Sequence, residues 1–225
     1  LFDKELQREL VDPQAPHPLN QYLYVAGGAN PRSVEHVPAG ELKIATPQKA
    51  ALRMTRLGQL GQRMTVETSA ATTPSLVSQI TVWNDVKRVD IANRLTKTQT
   101  YEKEAVYFAF PFAATKPVFR YEEPCAIVRP DEDFLPGACW DWFTVQHFVE
   151  IDAGGAAVAW ATPDAPLVCF QDINRGKWQS PMPLVNGHLY AYVMNNYWET
   201  HYLAGQGGEF AFRFAITSRP KADNV

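Results

Sequence analysis

The strongest constraint on the fold is the alternation at Ala105–Phe112. Val106, Phe108, Phe110 and Phe112 fall on one face, and Ala105, Tyr107 and Ala109 on the other. A period of two over that length predicts a strand and excludes an amphipathic helix. Arg88–Lys97 repeats the pattern, with Val89, Ile91 and Leu95 on one side and Asp90, Arg94 and Thr96 on the other. Similar apolar runs recur along the chain, separated by Pro, Gly and Asn. They are expected near 20–25, 41–46, 49–57, 62–69, 76–83, 156–162, 167–171, 188–195 and 209–216, with a single strand over 142–151. No stretch carries the apolar period of a helix of ordinary length. Short strands between turn residues predict an all-β fold, a large two-sheet sandwich. No linker, repeat or low-complexity segment divides residues 1–225, so one domain is expected.

Irregular structure is expected in three places. Pro13–Pro18 holds three prolines in six residues. Residues 113–141 hold Pro117, Pro124, Pro130 and Pro136 with the acidic run Asp131-Glu132-Asp133, and read either as a lid or as a solvated excursion. Residues 172–186 form the third. The opening Leu1-Phe2-Asp3-Lys4 is already apolar-then-turn, and suggests a cut through a longer protein.

Several function classes fall away. A net charge of −3 with no basic patch removes nucleic-acid binding. No apolar run approaches a membrane span. Cys125, Cys139 and Cys169 are widely spaced, which favours reduced, mostly buried thiols over a disulfide framework or a zinc site; a Cys125–Cys139 bridge stays open. The motifs of serine hydrolases, P-loop and dinucleotide proteins and zinc proteases are absent.

What remains is a polar–aromatic stretch, Asn195-Asn-Tyr-Trp-Glu-Thr-His-Tyr202 followed by Gln206-Gly-Gly208, placed between two strands that read as a hairpin. Amides, a carboxylate, an imidazole and aromatic rings suit a polyhydroxylated ligand, since the polar groups exchange hydrogen bonds with hydroxyls and the rings cover apolar C–H faces. Asn196, Trp198, Glu199 and His201 are its candidate binding residues. The alternative is a polar strand end with half-buried aromatics. Asp172 and Arg175, beside Asn174 and Trp178, form a second cluster, either a clamp on sugar oxygens or a surface ion pair. Asp141, within Cys139-Trp140-Asp141-Trp142, is either a buried hydrogen-bonded carboxylate or a site residue. Period two places His147 in the core with Phe143, Val145, Val149 and Ile151. His17, His36 and His188 read as loop or strand-edge residues. No spacing marks the paired carboxylates of a glycosidase, and no catalytic residue is assigned.

These stretches resemble, in order, the C-terminal region of glycoside hydrolase family 38, the α-mannosidases and their bacterial relatives. The resemblance is carried by Leu-Phe-Asp-Lys-Glu-Leu-Gln-Arg-Glu-Leu-Val-Asp12 with Asn20-Gln-Tyr-Leu-Tyr24, by Val86-Lys-Arg-Val-Asp-Ile91, by Lys103-Glu-Ala-Val-Tyr-Phe-Ala-Phe-Pro-Phe112, by Thr162-Pro-Asp-Ala-Pro-Leu-Val168, and by the 195–208 stretch. It implies a super-sandwich similar to galactose mutarotase. It also implies that the nucleophilic aspartate and the zinc ligands belong to an N-terminal α/β domain with no counterpart here, so this chain holds no cofactor and its partners are that domain and a mannoside-type carbohydrate. Eukaryotic members place a C-terminal arginine near the substrate, for which Arg175 is the candidate. Two other readings stand beside it: a free-standing sugar epimerase built on His147, His201 and Glu199, and a carbohydrate-binding module.

Overall fold

A computed structural model describes residues 1–27, 42–173, 179–197 and 205–220. Seventeen strands and one helical turn occur among them. In chain order the elements are β1 Phe2–Asp3, β2 Arg8–Glu9, β3 Gln21–Gly27, β4 Leu42–Ala45, β5 Ala50–Arg56, β6 Gly61–Ala70, β7 Thr73–Trp83, β8 Val89–Lys97, β9 Glu104–Thr115, β10 Val118–Glu123, β11 Ala126–Val128, α1 Pro130–Asp133, β12 Phe143–Thr144, β13 Phe148–Asp152, β14 Ala156–Ala161, β15 Leu167–Phe170, β16 Asn186–Asn195 and β17 Gly208–Pro220. β1 and β2 form a small hairpin, and the others build two sheets. The nine-stranded sheet has the order β11-β10-β13-β14-β17-β8-β7-β6-β5, and the six-stranded sheet β12-β15-β16-β9-β3-β4. The fold is therefore the expected all-β two-sheet sandwich. None of the described helices is long and apolar enough to cross a membrane.

β9 is central because it is buried on both faces. Val106, Phe108, Phe110 and Phe112 enter the core between the sheets, while Ala105, Tyr107 and Ala109 join a second cluster on the outer face of the six-stranded sheet. Phe110 packs on Trp160 and Phe214 with centroids 5.0 and 4.9 Å away. Opposite it, the inner positions of β8 are not all apolar. Asn93 is fully buried and exchanges two amide bonds of 3.0 and 2.8 Å with Asn20. Lys97 is equally buried and ion-paired to Glu104. Asn93 and Lys97 each find a partner, which is the condition for a polar group in such a place.

Four expectations need correction. Residues 142–151 are two strands rather than one: β12 lies in the six-stranded sheet and β13 in the nine-stranded sheet. Between them Val145 N donates to Pro166 O and Gln146 N to Glu122 O, so the alternation is interrupted where the chain crosses. His147 is consequently exposed, 61% for its side chain, and its Nδ1 meets Glu122 Oε2 at 2.9 Å. Second, 113–141 is not wholly irregular. β9 runs on to Thr115, and β10 pairs with β11 on one side and with β13 on the other. Third, β16 and β17 are no hairpin, since they lie in different sheets and the stretch between them is a crossover. Fourth, His188 is buried on β16, its Nε2 2.9 Å from Asp12 Oδ2. The cysteines are all free, Cys169 buried as expected but Cys125 and Cys139 exposed.

The first turn of the chain is clamped onto the last strand by Asp3. Its Oδ1 accepts bonds from Glu5 N (2.8 Å) and Leu6 N (3.0 Å), and its Oδ2 accepts Ser218 Oγ and lies 3.0 Å from Lys87 Nζ. Burial is the largest single influence and pushes the carboxyl up, but the bonds from Ser218, Leu6, Lys87 and Glu5 outweigh it and bring the pKa down to about 2. A depressed pKa means that this stabilisation is complete above the ordinary aspartate range and is lost as pH falls toward 2. We expect the melting temperature to drop between pH 4 and pH 2, with Asp3 contributing up to about 2 kcal/mol of that loss. In Asp3→Asn the same titration should be flatter; an unchanged pH slope would mean that Asp3 is not the group responsible.

Candidate functional site

The polar stretch begins where β16 stops. Asn195 Oδ1 accepts Tyr197 N at 3.0 Å, an Asx turn that ends the strand. Asn196 is 5% exposed. Its Nδ2 donates to Thr100 O (3.1 Å) and Glu102 O (2.9 Å), and its Oδ1 accepts Gly205 N (2.8 Å). Its backbone N also donates to Glu104 O. One side chain thus ties the β8–β9 connection and the approach to β17 to the end of β16. A Cβ at Gly207 would stand 2.6 Å from the Gln99 Cβ, so only glycine lets the two connections pass this closely. Beneath them lies the Lys97–Glu104 pair, with Thr72 Oγ1 donating to Glu104 Oε2 at 3.3 Å. Trp198, Glu199 and His201 lie outside the described residues.

From this end a buried, tyrosine-rich layer runs along the outer face of the six-stranded sheet. Tyr107 and Tyr192 stack with centroids 4.3 Å apart, and Tyr197 Oη reaches Val25 O at 3.5 Å. Tyr190 is met edge-on by His17 at 6.2 Å, and His17 Nδ1 lies 3.0 Å from Gln21 Oε1. Burial, with the Tyr192 phenol next in weight, pushes Tyr107 well above the usual phenol range; burial, with the Asp172 carboxylate next, does so for Tyr190. These phenols stay neutral at physiological pH and pack as a second core rather than as a ligand surface.

Asp172 marks the other end. Gln171 N donates to His188 O at 2.9 Å, and the Gln171 amide bonds Val185 N, Asn186 N and Asn186 O, which fixes the turn after β15. Asp172 is exposed and its Oδ1 accepts Ile173 N at 2.7 Å. Arg175 lies outside the described residues. Asp141 is 1% exposed, two residues before Phe143, which pairs with Val168 and so sets it toward the Asp172 end. His188, level with the turn that carries Asp172, and Asn196 are eight residues apart along β16, roughly 25 Å at the rise of a strand. The described candidates therefore do not converge: Asp141 and Asp172 lie toward one end of the face and Asn196 closes the other. Among the described residues no group of three His, Cys, Asp or Glu side chains could hold a metal ion. The buried tyrosine layer between the ends was missed by sequence reasoning, although the alternation Tyr190-Ala-Tyr192 beside Tyr107 was a usable signal.

Two solved structures share this architecture. An α-mannosidase from Enterococcus faecalis V583 aligns over 98% of this chain with a TM-score of 0.65 at 10% identity, and a glycosyl hydrolase family 38 protein from Enterococcus faecalis over 98% with a TM-score of 0.67 at 10% identity. The chain carries the fold of a family 38 segment. It spans 27% and 28% of the length of those two chains, about a quarter of each. A candidate aldose 1-epimerase from Escherichia coli K12 aligns over 89% of this chain and 84% of its own at a TM-score of 0.44 and 9% identity, and nothing below rests on it. No family model matches the sequence, and no curated protein does.

Proposed function

We infer that this chain is the non-catalytic β-sandwich of an α-mannosidase-like glycoside hydrolase, where it supports the catalytic domain and shapes one side of the carbohydrate site. The observation that carries this reading is the alignment of 98% of the chain on about a quarter of a mannosidase. The order of the sequence stretches that resemble family 38 points the same way. Asn196, buried and spent on three backbone partners, acts in this reading as the strut that presents Trp198, Glu199 and His201 rather than as a direct sugar ligand. Asp172, exposed beside Tyr190, and Arg175 would serve the opposite rim, and Asp141 would brace it from within. Bond cleavage and zinc belong in this reading to another part of the parent enzyme.

The test is turnover of an aryl α-mannoside by the purified chain, with and without added zinc. We expect release no faster than in buffer. Zinc-dependent turnover by this chain alone would overturn the reading.

A further inference from the structure

The outer face of the nine-stranded sheet carries a groove of about 400 Å³ that the sequence reading did not foresee. Register explains its shape. Arg63, Thr81, Asp90 and Ala215 lie in one cross-strand row, and Gln79, Ala92 and Arg213 in the next. Ala161 pairs with Ala215. Three alanines from β8, β14 and β17 thus make a low apolar floor. Trp83, Arg63 and Gln79 rise on one side of it, and His147 and Arg213 on the other. This is the His147 that its own strand pattern had assigned to the core.

The walls are held in place before any ligand arrives. Trp83 Nε1 donates to Asp90 Oδ2 at 2.7 Å, Arg63 Nε to Thr81 Oγ1 at 3.0 Å, and His147 Nδ1 meets Glu122. Charge compensation is uneven. Asp90 is matched by Arg88 at 2.8 Å, and Arg213 forks onto Asp164 at 2.8 and 2.7 Å. Arg63 is bonded only to a neutral hydroxyl, so among the described residues its terminal nitrogens face no carboxylate. The Gln79 amide and His147 Nε2 are likewise unspent among them.

An apolar floor, an indole wall, an amide and one uncompensated guanidinium fork define a ligand with an apolar ring face, hydroxyls and one carboxylate. A planar guanidinium takes a carboxylate through two parallel bonds, which neutral hydroxyls do not reproduce. We propose that this groove binds a hexuronate unit of an acidic glycan. Its carboxylate sits on Arg63, its hydroxyls reach Gln79 and His147, and its C–H face lies on the alanine floor against Trp83. The site is independent of the tyrosine layer and its flanking polar ends, which belong to the other sheet.

The test follows the six tryptophan indole N–H signals by ¹⁵N NMR, with Trp83 assigned through Trp83→Phe. Digalacturonic acid is titrated against mannobiose and sodium acetate. We expect digalacturonic acid to move the Trp83 signal saturably, mannobiose and acetate at equal concentration not to, and Arg63→Met to weaken the effect about tenfold or more. The other five indole signals report that the variant is folded. Three results would each overturn the proposal: no shift with digalacturonic acid, an equal response to mannobiose, or an equal response to acetate. A response unchanged in Arg63→Met would do so as well.

Discussion

Lys97→Met should destabilise the protein by about 3–5 kcal/mol, because it strands Glu104 as a buried charge without a cation. The two side chains are 1% and 2% exposed. Lys97 Nζ also donates to Thr98 O at 3.0 Å, and among the described residues Glu104 keeps the Thr72 hydroxyl, with the Tyr24 phenol beside it, when the lysine is lost. The Tyr24 hydroxyl is itself pushed above the usual phenol range, first by burial and then by that carboxylate, so it solvates the charge as a neutral donor. The double variant Lys97→Met/Glu104→Leu should recover most of the loss, since it removes the buried charge together with its partner. Chemical denaturation of the two variants and the parent measures this directly. A double variant no more stable than Lys97→Met would mean that packing, not charge, sets the cost. Because the Glu104 backbone carbonyl accepts the N–H of Asn196, faster amide exchange at 195–197 should accompany the single substitution.

The second large effect is expected at Trp160, which is fully buried on β14. Its indole stacks on Phe214 with centroids 5.4 Å apart and an interplanar angle of 18°, and leans on Phe110. Trp160→Ala should cost about 3–5 kcal/mol through the cavity it leaves. Trp160→Phe should cost about 1–2 kcal/mol. It keeps a ring against Phe214 and deletes an indole N–H that is buried without an acceptor, a group that is expensive to desolvate. If the two variants melt together, that N–H is no liability and the whole volume of the indole is required.

Both sites show how far the sequence could be read. The alternation in β9 sorted its side chains correctly: the phenylalanines face the other sheet and Tyr107 faces away. The alternation in β8 was equally legible, yet it did not reveal that two inner positions are polar by design, because Asn93 and Lys97 are satisfied by Asn20, 73 residues away, and by a glutamate on the next strand of the chain. The single strand expected over 142–151 failed at the crossover, where Val145 N and Gln146 N donate to Pro166 O and Glu122 O and take the backbone out of alternation. His147 moved with it from the core to the rim of a groove. Asn196 was singled out for its amide, and that amide is spent on carbonyls 94 and 96 residues earlier.

The sequence by itself determined the class of fold, most of the strands and the face each side chain takes where the alternation is unbroken, since these follow from local sterics and a period of two. Which strands become neighbours was decided only in three dimensions. β16 and β17 follow one another in the chain, yet each pairs in a different sheet. Ala92, Ala161 and Ala215 are unremarkable where they stand in sequence and become a groove floor only when β8, β17 and β14 lie side by side. Pairing is chosen by the burial of both faces of β9 at once, a condition on distant residues that no local pattern carries.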